Sequence, residues 1–169
     1  MNPTVSIIMG STSDLPVMEK AMKFLDDMQV PFEVNALSAH RTPDAVERFA
    51  KGARDRGIRV IIAGAGMAAA LPGVIAAQTP LPVIGVPIKG SVLDGVDALY
   101  SILQMPPGIP VATVAINGAM NAAILACQML ALADPDIALK MDRYKATLGE
   151  KIEKANRDLA EVKYQCKTN

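Results

Sequence analysis

Two long stretches of this chain carry no charged residue: Val60 to Ile88 and Ala98 to Ala133. Such a run either crosses a membrane or is buried in a core on every side. A spanning helix needs about 20 unbroken apolar residues. The first run is interrupted by Gly64, Gly66, Pro72, Gly73, Pro80, Pro82, Gly85 and Pro87, and the second by Pro106, Pro107, Gly108 and Pro110. Both therefore break into strand-sized and helix-sized pieces, and no membrane segment is expected. They read as buried layers of an α/β domain, in which strands covered on both faces look continuously apolar.

Composition adds one further constraint. With 51% hydrophobic residues, 20% charged residues and a mean hydropathy of +0.27, the chain has more apolar surface than a monomer of this size is expected to bury. A homo-oligomer is the expectation. Lys plus Arg and Asp plus Glu both number 17, aromatics make up 4%, and there is no Trp. Neither a basic footprint nor a set of stacking platforms is present, so no nucleic-acid partner is expected. The two cysteines, Cys127 and Cys166, form no spaced metal motif, and one histidine cannot complete one. They read as reduced thiols of a cytoplasmic protein. The N-terminal "MNPTVSIIMG" lacks a basic segment followed by a long apolar core and reads as a first strand rather than a signal peptide.

Along the chain, strand and helix signals alternate. Strands are expected at Thr4 to Gly10, Phe32 to Ser38, Val60 to Gly64, Leu81 to Val86 and Val111 to Ile116. The first helix is expected over Ser13 to Met28, capped by Ser13 or Asp14 and with Pro16 in its first turn. Its apolar face would be Val17, Ala21, Phe24 and Met28. Thr42 as N-cap and Pro43 at the first helical position open the second helix, which presents Val46, Phe49, Ala50 and Ala53 and stops at Gly57. Further helices are expected at about Ala68 to Ala77, at Val92 to Gln104, and from Asn117-Gly118 to near Ala133. Five strands, each followed by a helix, predict a three-layer αβα fold: a flavodoxin-like five-stranded parallel sheet with right-handed crossovers. A single domain is expected over residues 1–169, with a core of about 3–133.

A last helix, opened by Asp134-Pro135 and running to about Tyr164, is longer than such a core can cover. Met141, Tyr144, Leu148, Ile152, Ala155, Leu159 and Val162 recur along it at spacings of three and four. At 1.5 Å per residue the helix would be roughly 40 Å long. This extension of about 134–165 is expected to lay its stripe on a neighbouring subunit, the alternative being a partly frayed tail.

In parallel α/β sheets, ligands bind outside the carboxyl ends of the strands. Three segments should meet there. "GSTSD", Gly10 to Asp14, combines a glycine, three hydroxyls and a helix N-terminus, which suits an anion such as phosphate, although the hydroxyls could equally serve as caps. Asp14 is a strong acceptor for sugar hydroxyls. "SAHRT", Ser38 to Thr42, places the only histidine, His40, beside Arg41. An imidazole can release and accept a proton near pH 7, and a guanidinium can pair bidentately with phosphate or carboxylate. "GAGMAA", Gly64 to Ala69, matches G-x-G-x-x-A, but it follows the third strand, and no acid lies about 20 residues on to hold a ribose. It reads as a tight turn that lets a ligand approach the backbone. No nucleophile elbow, Walker loop or metal cluster is present, which leaves a chemistry with one proton carrier and no cofactor.

Together, "GSTSD", "SAHRTPD", "AGAGMAAALPG", "PVIGVP" and "SILQMPPGIPVATVAI" resemble the N5-carboxyaminoimidazole ribonucleotide mutase (PurE) family of purine biosynthesis, in order from Val5 to Leu132. The resemblance implies a homo-octamer with active sites at subunit interfaces. It implies a small ribonucleotide substrate whose carboxylate moves from the exocyclic nitrogen to a ring carbon, without cofactor or metal. By similarity, Ser11 and Arg41 would hold the phosphate region, Asp14 the ribose, and His40 would be the general acid/base. Gly10, Ser13, Ser38 and Ala39 would complete the substrate contacts, and the loop containing Gly64, Ala65, Gly66, Met67, Ala70 and Leu71 would enclose the carboxylate. Many relatives have a histidine where this chain has Ala70, and a glycine at Met67. A sister group that carboxylates aminoimidazole ribonucleotide directly has Lys in place of Arg41 and a different third-strand loop, so Arg41 and "GAG" favour the mutases. The rival from another class is a non-catalytic flavodoxin-like binding module, which would bring a flavin or a cluster of acids that these loops lack.

Overall fold

The computed structural model describes residues 2–163; Tyr164 and Cys166 lie outside them. Five parallel strands form one sheet in the order β2-β1-β3-β4-β5. They are β1 (Val5–Met9), β2 (Phe32–Ala36), β3 (Val60–Ala65), β4 (Val83–Pro87) and β5 (Ala112–Thr113). The helices are α1 (Leu15–Asp27), α2 (Pro43–Lys51), α3 (Leu71–Ala76), α4 (Val96–Leu103), α5 (Ala119–Ala131) and α6 (Pro135–Ala160). This is the expected flavodoxin-like order, in three layers.

The period-two alternation of the strands divides the core into two clusters. Val5, Ile7, Met9, Val60, Ile62, Ile84 and Val86 pack with α1 and α5 on one face. Ile8, Ile61, Ala63 and Val83 pack with α2, α3 and α4 on the other. β1, β3 and β4 are buried along their whole length, which is why their sequences carry no polar alternation. Ser6 is the exception, a buried hydroxyl at 2.9 Å from Glu33 Oε1 on β2, which in turn pairs with Arg56 at 3.0 Å.

Several boundaries differ from the sequence reading, each for a local reason. Ser11, not Ser13 or Asp14, is the cap: its Oγ accepts the Ser13 N–H at 3.3 Å and opens a 3-10 turn over Thr12–Asp14. Asp14 stands at the N-cap position of α1 but makes no capping bond, so its carboxylate is left for other contacts. On α1, Met18 and Leu25 are fully buried beside Ala21 and Phe24, whereas Val17 only flanks the core. Thr42 precedes α2 but does not cap it; its hydroxyl turns back to Ser38, accepting the Ser38 N–H at 3.0 Å and donating to the Ser38 carbonyl at 3.1 Å. α2 ends at Lys51 rather than at Gly57, and α3 starts only at Leu71 because Ala68 has a left-handed φ of 51°. α4 begins at Val96, after Leu93, Asp94 and Gly95 all take positive φ. β5 pairs with β4 over two residues only, Ala112 and Thr113, although the Val114 N–H still reaches the Gly85 carbonyl at 3.1 Å.

α6 is capped by Asp134, whose Oδ1 accepts the N–H groups of Asp136 at 3.0 Å and Ile137 at 3.2 Å. Its first turns dock on the subunit's own core. Met141 is buried, the Tyr144 ring stands edge-on to Phe24 at 5.0 Å, and Lys140 Nζ donates to the Met28 carbonyl at 2.9 Å. Further along, the 26-residue helix overshoots the core. Leu148, Ile152, Leu159 and Val162 of the same stripe are exposed, Ile152 by 65%. No helix among the described residues is long and apolar enough to cross a membrane.

Candidate functional site

The parallel arrangement sends the carboxyl ends of β1, β2, β3 and β4 to one rim, and a cleft of about 620 Å³ opens there. That size suits a small-molecule ligand. Its first wall is Gly10, Ser11, Ser13 and Asp14, following β1. The second is Ser38, Ala39, His40 and Arg41, following β2. The third runs from Ala65 to Leu71, following β3. Three loops separated by more than 20 residues in sequence are thus brought together by strand pairing, Met9 lying beside Ala36 on one side and Gly64 on the other.

Arg41 ties the first two walls to each other. Its Nη2 donates to the Gly10 carbonyl at 3.0 Å, and its Nε approaches Ser38 Oγ at 3.4 Å. Ser38 Oγ also accepts the Arg41 backbone N–H at 3.2 Å, and the Thr42 N–H closes the turn on the Ser38 carbonyl at 2.8 Å. The turn that carries His40 is therefore held at both ends, while the histidine itself is exposed at the cleft. The guanidinium keeps further N–H groups for an anion beside Ser11.

The Asp14 carboxyl is half-buried, and burial raises it above its ordinary value. Hydrogen bonding at Ser11, Ser13 and Gly10 and the nearby Arg41 charge offset only part of that. Cys127 lies in the core between the helices of the first cluster, and burial pushes its thiol up to about 11, so it is a packing residue and not a nucleophile. Among the described residues, no three His, Cys, Asp or Glu side chains are grouped as metal ligands.

Of the site residues expected from sequence, all but Gly64 line the cleft. Gly64 is interior to β3, and a Cβ there would lie 2.5 Å from Met18 Sδ. Its lack of a side chain makes room for α1 rather than for a ligand. Ala70 does line the cleft and presents only a methyl group there. A fourth wall, Ile88, Lys89, Gly90 and Ser91, went unread in the sequence. The signal was available: "PVIGVP" ends at Pro87, so "IKGS" is one more strand-end loop on the same rim.

A family model described as AIR carboxylase matches residues 4–151. The N5-carboxyaminoimidazole ribonucleotide mutase of Thermotoga maritima is 55% identical over 164 residues, covering 96% of this chain and 95% of that protein. The mutase of Pyrococcus horikoshii is 54% identical over 96% of this chain and 92% of its own length. The phosphoribosylaminoimidazole carboxylase of Schizosaccharomyces pombe is 57% identical over 92% of this chain, and the chain spans only 28% of that longer protein. Among solved structures, the crystal structure of Treponema denticola PurE2-S38D superimposes with a TM-score of 0.86 at 31% identity, covering 94% of this chain and 99% of that one.

The raised Asp14 carboxyl has a consequence for stability. The folded protein keeps a proton that the unfolded chain has already released, so stability falls as pH rises through that interval, and at neutral pH the charged form is a cost. Asp14→Asn is expected to raise the thermal unfolding midpoint of the ligand-free protein at pH 7. The gain should shrink as pH drops below the ordinary carboxylate range. Calorimetry across that series checks it, and an equal gain at every pH would contradict the burial account.

Proposed function

The chain belongs to the AIR carboxylase family, and we propose that within it the protein is an N5-carboxyaminoimidazole ribonucleotide mutase, an isomerase of de novo purine biosynthesis. The observation that carries this reading is the joint presentation of His40 and Arg41 on a braced turn, facing Ser11 and Asp14 across a nucleotide-sized cleft. Mutases of this name match the chain over nearly their whole length.

The residues account for the reaction in order. Ser11, Ser13 and Arg41 take the phosphate, for which the braced guanidinium and the serine hydroxyls are the donors. Asp14 accepts the ribose hydroxyls. The loop Ala65–Leu71 surrounds the reacting carboxylate, and Gly10, Ser38 and Ala39 complete the substrate contacts. His40 donates a proton to the carbamate nitrogen; the C–N bond breaks, its electron pair stays on nitrogen, and carbon dioxide is released inside the cleft. The electron-rich ring carbon attacks the carbon dioxide and forms the new C–C bond. His40 then removes the ring proton, aromaticity returns, and the imidazole is back in its starting state. One group thus acts as acid and then base, and holding carbon dioxide beside the ring supplies the proximity. With Ala70 in the third wall, that loop brings no second imidazole to share the proton.

The fission-yeast relative is named a carboxylase, so direct carboxylation of the ribonucleotide is the alternative to be separated. The purified protein is expected to turn over the carbamate substrate, and not the uncarboxylated ribonucleotide with bicarbonate. His40→Asn should keep the fold and lower turnover by about 10²–10⁴-fold, the usual share of positioned proton transfer. Near-normal turnover in that variant would sink the mechanism.

The protein acts in the cytoplasm as a homo-octamer, a single-domain subunit whose α6 extension packs on a neighbour. The support is two exposed apolar surfaces: the outer half of the α6 stripe and, on the opposite face of the sheet, Val92, Leu93, Val96, Tyr100 and Leu103 around α4. Exposed apolar surface on this scale is seldom left to water. Ile152→Glu combined with Leu159→Glu is expected to lower the assembly mass in light scattering while circular dichroism stays unchanged. An unaltered mass would show that the end of α6 is not an interface.

A further inference from the structure

The fourth wall of the cleft carries a cation, Lys89, that the reaction above leaves without a role. The proposed substrate has two anionic ends, a phosphate and a carboxylate. Among the described residues, the cleft lining holds one acid, Asp14, and two cations, Arg41 and Lys89. Arg41 is committed to the side of β1 and β2 by its bonds to Gly10 and Ser38, beside Ser11. Lys89 belongs to the opposite side, next to the loop that surrounds the carboxylate. There the Ile88 N–H donates to the Ala65 carbonyl at 2.9 Å, and a Cβ on Gly90 would sit 3.4 Å from Met67 Cγ.

The backbone and side chain of Lys89 are held very differently. Its N–H donates to Asn117 Oδ1 at 2.9 Å. Gly95, at φ +89°, passes so close that a Cβ there would meet Lys89 Cα at 3.0 Å. The backbone is therefore clamped from two sides. Among the described residues the ammonium has one ion-pair partner, Asp94 Oδ1 at 2.8 Å, in a pair whose side chains are 55% and 78% exposed. An exposed pair of that sort adds little stability, so a substrate anion in a less hydrated cleft can displace Asp94.

We infer that Lys89 is a binding residue for the substrate carboxylate, its ammonium passing from Asp94 to that group when the ligand enters. This rests on the reading of the substrate as a carboxylated ribonucleotide. Asp94 is a positioning residue, which keeps the lysine side chain at the cleft edge until then. Arg41 and Lys89 together match the two charged ends of the ligand, and discrimination between carboxylated and uncarboxylated ribonucleotides falls to Lys89.

Calorimetric titration of 4-carboxy-5-aminoimidazole ribonucleotide and of 5-aminoimidazole ribonucleotide, into the wild type and the variants Lys89→Met, Lys89→Arg and Asp94→Asn, tests this. Lys89→Met should weaken the carboxylated ligand by about tenfold or more, the scale of a hydrogen bond to a charged group, and leave the uncarboxylated one unchanged. Lys89→Arg should restore most of the difference. Asp94→Asn should bind the carboxylated ligand at least as tightly as the wild type, since it removes the competing acid. If Lys89→Met weakens both ligands alike, or Asp94→Asn loses as much as Lys89→Met, the pair is a clamp on the loop and the inference is overturned. A wild type that binds neither ligand would overturn the substrate reading and this inference with it, which separates the two failures.

Discussion

Strands β1, β3 and β4 are buried on both faces between two helical layers, and the rest of the molecule depends on that burial. A strand covered on both sides has no room for a charged side chain, so chemistry is confined to strand ends. Parallel pairing then sends the ends of β1 to β4 to the same rim. Residues as distant in sequence as Asp14, His40, Ala70 and Lys89 become neighbours of one cleft. Their proximity is a consequence of register: Met9 beside Ala36, Met9 beside Gly64, and Gly64 beside Val86.

Within the cleft, charge is distributed by wall. The Arg41 guanidinium is braced by a backbone carbonyl and a serine hydroxyl, which fixes a planar donor set in place before any ligand arrives. Asp14 is released from capping because Ser11 takes that task, so a half-buried carboxylate remains as an acceptor. The His40 turn is anchored by Ser38 and Thr42, each bonded to the other, rather than by contacts to the ring. A ring placed by its backbone is free to exchange protons with a ligand. Neighbours thus hold the scaffold and leave Arg41, Asp14 and His40 open to the cleft.

The layers and strand order were legible because burial on both faces leaves a strong mark: Val60 to Ile88 has no charge and is cut by Gly and Pro at the layer boundaries. Three of the four cleft walls were legible for the same reason, since each follows a recognisable strand. What stayed hidden was decided by side-chain direction or by left-handed backbone. Gly64 belongs to the pattern of a ligand turn, yet β3 continues through Ala65, and the missing Cβ accommodates Met18. Thr42 has the identity of a cap, but its hydroxyl is better satisfied by both backbone groups of Ser38. The starts of α3 and α4 slip by three or four residues because Ala68, Leu93 and Asp94 take positive φ, which no composition rule anticipates for such residues. Lys89 carries no mark in the sequence, since it sits between an apolar strand and an apolar helix and looks like an ordinary surface lysine.

In the proposed reaction the carboxylate leaves one atom of the substrate and joins another without escaping the cleft. Carbamate substrate labelled with ¹³C in its carboxylate, turned over in excess unlabelled bicarbonate, tests this directly by mass spectrometry of the product. Product that carries the label undiluted is expected, since the proposed reaction releases and recaptures carbon dioxide between the Ala65–Leu71 loop and His40. Product whose label has equilibrated with the bicarbonate would contradict it, and would place the chemistry with direct carboxylation instead.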